Sequence, residues 1–172
     1  VTPIFWRRAV PADAPALSLL GGATFLASFA HDHPGKALLD HARNAHGEAF
    51  YDKALAEPDY AAIIGETELG APVAYALMTP ADVPVPPEPG DYELKRIYLL
   101  GPWQGGGNGD ALMEQVYAVA RERETRRLLL AVYPQNDRAR RFYARHGFEQ
   151  VGKMTFMVGD VPFEDLIYAK MM

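Results

Sequence analysis

The stretch WQGGGNGDALM, residues 103–113, decides how this chain is read. Four of the five residues 105–109 are glycine, and the chain then turns helical. Glycine is costly to order, so such a cluster needs a physical cause. Ala111, Leu112, Val116, Val119 and Ala120 form the apolar stripe of the helix that follows. The first N–H groups of a helix lack internal partners, and its macrodipole favours negative charge there. Glycine removes the Cβ atoms that would hold a phosphate away. The segment therefore predicts an anion site at a helix mouth.

Two common phosphate loops do not fit it. The nucleotide-triphosphate loop ends in Gly-Lys-Ser/Thr, whereas Gly109 is followed by Asp110 and Ala111. The dinucleotide pattern, started at Gly105 and Gly107, needs a third glycine where Asp110 stands. It also belongs near the first strand of a doubly wound sheet, and this loop lies past mid-chain.

Working outward, residues 4–9 read as a strand. Pro11 and Asp13 open a helix that continues through Ala16, Leu19, Leu20 and Ala23 to Phe29, and a second helix is expected over 37–55. Residues 60–67 and 72–78 form a hairpin signal around Gly70. DVPVPPEPG, residues 82–90, reads as a surface loop rather than a linker, because neither flank is complete alone. Strands follow at 92–100, 128–133, 148–156 and 163–169. The charged run 121–127 reads as a solvated helix end. Asn136 or Asp137 can cap a helix bearing Ala139, Phe142, Tyr143 and His146, which Gly147 closes. The order β-α-α-β-β-β-α-β-α-β-β predicts an α/β fold with a mixed sheet.

The 172 residues suit one domain. A net charge of -5 weighs against a nucleic-acid partner and weakly favours cationic ligands. The absence of cysteine removes disulfides, thiolate metal sites and a cysteine nucleophile. No apolar run reaches the ~18 residues of a membrane span, and residues 1–8 do not read as a secretion signal. The expectation is a cytoplasmic protein with no membrane partner.

Gln104-x-x-Gly107-x-Gly109 resembles the Gln/Arg-x-x-Gly-x-Gly/Ala pyrophosphate loop of the GCN5-related N-acetyltransferase (GNAT) superfamily. ELKRIYLLGPWQGGGNGDALM, residues 93–113, resembles that family's fourth strand, loop and helix. NDRARRFYARHGFEQVG, residues 136–152, resembles its second signature. More distantly, ATFLASFAHDHP (23–34) and MTFMVGDVPFEDLIYAKMM (154–172) resemble bacterial spermidine/spermine N-acetyltransferases of the PaiA type. Two positions depart from the pattern. Asn108 stands where an apolar residue is common, and Asp110 stands where Lys or Arg is common.

The resemblance implies a single N-acetyltransferase domain over 1–172. Its mostly antiparallel sheet would have about six or seven strands, flanked by about four helices and splayed between strands four and five. It implies acetyl-coenzyme A as co-substrate and no metal. Main-chain N–H groups of Gln104, Gly105, Gly106, Gly107, Asn108 and Gly109 would hold the pyrophosphate. Ile97, Tyr98 and Leu99 would meet the pantetheine arm in the splay, and an N–H near Leu99 would stabilise the thioester oxygen. Asn136 would also contact the arm. Tyr143 would serve the departing thiolate, the plainer alternative being that it packs in the core with Phe142 and Phe148. Glu93 would act as general base or pair with Lys95, which shares its strand face. A base matters because an alkylammonium of pKa ~10.4 is neutral in about one molecule in 2500 at pH 7, a deficit of roughly 4.6 kcal/mol. His31, Asp32 and Tyr51 fall on the acceptor side. The histidines near Asp32 also permit a polar helix junction or a metal site. The expected acceptor is a small primary amine, with polyamine leading. A protein or peptide amine, and an acyl-coenzyme A sensor without turnover, are the alternatives. The Pro-rich loop and helical N-terminal part offer surfaces for a homodimer.

Overall fold

Burial alternates along residues 72–80: Ala74, Ala76 and Met78 pack to one side, Tyr75 and Leu77 to the other. That is a strand covered on both faces. It lies in a seven-stranded sheet of order β1-β2-β3-β4-β5-β7-β6. The structure, a computed structural model, describes residues 3–172. Val1 and Thr2, the start of the stretch read above as no secretion signal, lie outside the described residues. The strands are β1 (Phe5–Arg8), β2 (Ala61–Glu66), β3 (Pro72–Pro80), β4 (Asp91–Leu99), β5 (Arg127–Val132), β6 (Glu149–Val158) and β7 (Val161–Met171). The helices are α1 (Ala14–Phe29), α2 (Gly35–Ala45), α3 (Glu48–Ala56), α4 (Asn108–Glu122) and α5 (Asp137–Arg145).

The helices form two layers. Leu112, Met113 and Val116 of α4, with Tyr143 of α5, cover Ala74, Ala76, Leu94, Leu128 and Leu130. Leu17 and Leu20 of α1, with Tyr51 and Ala54 of α3, cover Ala62, Ile64, Tyr75 and Leu77. Leu129 and Ile167, on that second side, are covered by Val83 and Val85 of the Pro-rich loop. Arg127 holds that loop through Asp91 at 2.7 Å, Glu88 at 2.5 Å and the Pro86 carbonyl at 2.8 Å. The segment is thus part of the fold and not a linker. It also means that the charged run 121–127 is not all solvated, for Arg127 is only 9% exposed.

Two further expectations change. The helix expected over 37–55 is two helices, because Gly47 is extended (φ -67°, ψ 156°). A Cβ there would meet the Arg43 carbonyl oxygen at 2.5 Å, so a bare backbone is required. Residues 11–29 form a 19-residue stretch of mean hydropathy 1.2, long and apolar enough to cross a membrane by length and composition. Here Leu17, Leu20 and Phe25 are buried against the rest of the protein.

The feature that positions the site is a splay. The pair β4–β5 is parallel and holds only three registers, Asp91↔Arg127, Tyr92↔Leu128 and Glu93↔Leu129. Beyond Glu93 the strands part. The register of β4 on β3 passes from Leu77↔Arg96 to Met78↔Leu94, which leaves Lys95 as a bulge. A bulge bends its strand and raises local twist, and this one lies where the gap opens.

Candidate active site

The glycine loop crosses the open end of that gap and feeds α4. Gly105, Gly106 and Gly107 have φ values of 90°, 59° and 85°. Side chains rarely adopt such values. At Gly105 and Gly107 a Cβ would meet nothing within 4 Å, so the backbone turn, and not crowding, demands glycine. Gly109 differs: a Cβ there would lie 3.3 Å from the Phe142 ring, so it lets α4 approach α5. Among the described residues, the N–H groups of Gly105, Gly106, Gly107, Gly109 and Asp110 donate to no acceptor in the chain. Successive unpartnered N–H groups at a helix start make an anion-binding concavity. The Gln104 N–H, in contrast, donates to Gly101 at 3.1 Å, and that of Asn108 to Gly105 at 3.1 Å.

Side chains hold the loop in shape. Gln104 donates to the Leu99 carbonyl at 3.0 Å, and Asn108 donates to the Trp103 carbonyl at 2.9 Å. Arg138 of α5 donates to the Gln104 side chain, which brings a cation to the loop that sequence reading missed. Its signal was the basic face of α5. Asp110 turns away from the loop. Its Oδ1 accepts from Arg145 at 2.9 Å and lies 2.8 Å from His146 Nε2. These bonds, Arg145 foremost, hold its carboxyl below the usual range. The charge that departs from the family pattern is spent on α5.

The open edge of β4 continues from the loop. The Leu100 N–H donates to Val73 at 2.9 Å. On an antiparallel ladder, alternate residues then turn outward, so Ile97 and Leu99 present N–H and C=O to the gap. Tyr98 pairs its backbone with β3 and contributes its side chain, stacked on Tyr75 at 5.9 Å. Tyr143 of α5 is 8% exposed and packs near Phe148 and Tyr168. Burial, with the nearby Tyr98, pushes its hydroxyl well above the ordinary value, and no hydrogen bond restrains it. Asn136 caps α5, its Oδ1 accepting from Ala139 at 3.1 Å, which leaves its NH2 free.

The remaining expected residues are dispersed. Glu93 is buried at the closed end of the gap, accepting from the Asp82 N–H at 2.9 Å and lying 3.2 Å from Lys95 Nζ. Tyr51 is fully buried and is not on an open acceptor wall. Its hydroxyl accepts from Arg96 at 2.8 Å and donates to Tyr75 at 3.1 Å. His46 lies 3.2 Å from the same oxygen. Burial first, then the charges of Arg96 and His41, push His46 down to about 2. His31 is exposed, 3.7 Å from Asp32. Asp32 accepts from Tyr133 at 2.9 Å and lies 2.6 Å from His33. Burial alone would raise Asp32, but these two bonds outweigh it and hold the group low. No group of three His, Asp or Glu side chains among the described residues is arranged to hold a metal. Two shallow depressions beside Arg123 lie away from the loop and contain none of these groups.

Residues 26–148, well over half the chain, match the Acetyltransferase (GNAT) family. The chain belongs to the GNAT acetyltransferase family. An N-acetyltransferase of Mycobacterium tuberculosis, described as uncharacterized, is 38% identical over 98 residues, 57% of this chain and 59% of that protein. Another from Lactobacillus delbrueckii subsp. lactis is 32% identical over 83 residues, 48% of each. The match to this GNAT chain thus spans less than two thirds of those relatives' own length. Among solved structures, the PaiA N-acetyltransferase of Thermoplasma acidophilum in complex with coenzyme A superposes with a TM-score of 0.82. It covers 99% of both chains at 15% identity. A GCN5-related N-acetyltransferase from Rhodopseudomonas palustris gives 0.77 at 19% identity, over 100% of this chain and 98% of that one. Such likeness establishes the GNAT fold of the chain, with its mixed sheet splayed at β4 and β5.

Proposed function

We propose that this GNAT chain moves an acetyl group from acetyl-coenzyme A directly to a primary amine, with no covalent enzyme intermediate. One observation carries the reading: the unpartnered N–H groups of Gly105, Gly106, Gly107, Gly109 and Asp110 lie at the end of the open edge of β4, with Tyr143 packed in the same core as that edge. Nothing in the sheet needs that edge open, and an unpaired strand edge is costly unless something covers it. A diphosphate on a flexible arm fits both parts. The bound co-substrate supplies a thioester already activated for acyl transfer.

The chain's own groups do the rest. The loop N–H groups and Arg138 hold negative charge at the helix mouth. Ile97 and Leu99 align the arm, and an N–H on this edge meets the carbonyl oxygen as charge builds on it. Tyr143 offers its hydroxyl to the departing sulfur. Burial makes that hydroxyl a reluctant acid and keeps it a donor, which suits stabilising a thiolate as it forms. Glu93 lies about 16 Å along the strand from Tyr98, at ~3.3 Å per residue, so a base role for it runs through water.

Polyamine is the proposed acceptor class, supported by the -5 net charge and by the resemblance of residues 23–34 and 154–172 to PaiA-type spermidine/spermine N-acetyltransferases. The test incubates the protein with acetyl-coenzyme A and a panel of amines, following free thiol. Release should require an amine and fall roughly tenfold or more in Tyr143→Phe, with coenzyme A affinity retained. Tight coenzyme A binding without release across the panel would favour a sensor. Peptide amines outrunning spermidine would overturn the polyamine assignment.

A further inference from the structure

Asp165 belongs to none of the groups described so far. It lies on β7 beside Leu166, whose partner Val132 is the last residue of β5. Asp165 is therefore level with Tyr133, just past the end of β5, where the gap is open. Phe163 and Ile167 share its face, since strand side chains alternate. The Tyr133 ring stands edge-on to Phe163 at 6.0 Å, and His33 stacks on Phe163 at 4.0 Å. Across the gap stands Tyr98. Burial raises the hydroxyls of both Tyr98 and Tyr133, and the charge of Asp165 adds to each.

Asp165 as a residue is only 8% exposed. It has no hydrogen bond and no ion pair among the described residues, and burial alone pushes its carboxyl up to about 6. Asp32 nearby is satisfied by His33 and Tyr133, and Lys153 and Glu164 pair with each other on the opposite face of β7. The titratable and charged groups on the elements around it are Tyr98, Tyr133, Asp32, His33, His41 and Arg96, and among the described residues none bonds to it. Its oxygens still reach solvent, for the one sealed side-chain polar atom without a partner among the described residues is Thr125 Oγ1. A carboxylate in so apolar a setting with no cation beside it is disfavoured in its charged form, and such groups concentrate where a ligand completes them. Aromatic walls around a carboxylate suit an organic cation by charge and by ring quadrupole together.

We propose that Asp165 is the carboxylate that receives the acceptor's ammonium group and takes up its first proton. This rests on the acetyl-transfer reading above. Asp165 removes one proton from the ammonium, which frees the nitrogen lone pair. The C–N bond then forms at the acetyl carbonyl carbon and the C–S bond breaks. The nitrogen's second proton ends on the sulfur, relayed by Tyr143, which gives its proton to the sulfur and regains one. One proton thus resides on Asp165 and one on the thiol, and the neutral amide leaves. The ammonium, with a pKa of ~10.4, gives up its proton only uphill, so the transfer to Asp165 completes as the nitrogen attacks the carbonyl carbon and its own acidity rises. The acceptor class that follows is an aliphatic primary ammonium, and not an aromatic amine or an alcohol.

The test is a carboxyl-carbon NMR titration of the full chain saturated with coenzyme A, with Asp165→Asn for assignment and Asp165→Ala as the second variant should Asn not fold. A resonance titrating near 6 should be absent in the variant, and its midpoint should fall by about one unit or more with saturating butylamine or spermidine, but not with butanol. In parallel, kcat/KM for amine-dependent thiol release should fall about a hundredfold in the variant, and the acid limb near 6 should vanish, with coenzyme A affinity within about twofold. A midpoint unmoved by either amine, or a variant that keeps the limb, overturns the proposal. A wild-type chain that releases no thiol with any amine overturns the acetyl-transfer reading instead, and the titration then still decides Asp165.

Discussion

At the scale of single residues, carboxylates that look alike in the sequence have unlike surroundings. Glu93 is held by a backbone N–H and Lys95, Asp110 by Arg145 and His146, Asp32 by His33 and Tyr133. Asp165 is held by nothing among the described residues. That difference has a sign. A carboxyl raised from 3.8 to about 6 binds its proton more tightly folded than unfolded. Stability from it is therefore full below about 4 and is lost as pH rises through 6. Asp165→Asn removes the penalty. Urea unfolding should find the variant more stable than wild type at pH 8, by something on the order of 2 kcal/mol, and equal to it near pH 4. Equal stability at both values would mean that the carboxyl is not perturbed. Sequence reading could not find this residue, because a lone acid in an alternating strand carries no motif. Its isolation exists only once β4, β5 and β7 meet. Tyr51 misled for the converse reason: its spacing on α3 fits a wall residue as well as a core residue, and only the Arg96 bond decides.

At the scale of elements, the loop between β4 and α4 was legible because each of its parts has one physical meaning. Three consecutive positive φ angles admit little but glycine, and the residues after them have the spacing of a buried helix face. The splay itself was not legible from residues 91–99, since the bulge at Lys95 is a matter of register and leaves no mark on composition. The break at Gly47 was hidden by the helical apolar spacing that continues on both sides. Gly105→Ala and Gly107→Ala test the loop. Each forces a side chain into a left-handed conformation at about 1–2 kcal/mol, with no clash to add. Calorimetric titration should show coenzyme A affinity reduced about tenfold or more, while Gly22→Ala, inside α1 with nothing near its Cβ, leaves it unchanged. Unchanged affinity in the loop variants would show that the left-handed turn does not shape the binding site.

At the scale of the whole molecule, the fold brings a donor side and an acceptor side to one gap. The helix mouth of α4, the edge of β4 and Tyr143 of α5 lie along one side. Asp165, Tyr133 and Phe163 lie at the end of the other, while Tyr98 of β4 stacks on Tyr75. The proposed donor side follows from local sequence, so it could be proposed in advance. The proposed acceptor side is built from α1, the end of β5 and β7, far apart in the chain, so it could not. The unpartnered N–H groups of Gly105, Gly106, Gly107, Gly109 and Asp110 are proposed to grip the diphosphate of coenzyme A. Backbone amide NMR during a coenzyme A titration tests it most directly. The N–H signals of Gly105, Gly106, Gly107, Gly109 and Asp110 should move together and saturate with the bound fraction, those of Ile97 and Leu99 following. Saturable binding that leaves these amides unmoved and shifts another surface, or no binding at all, would contradict it.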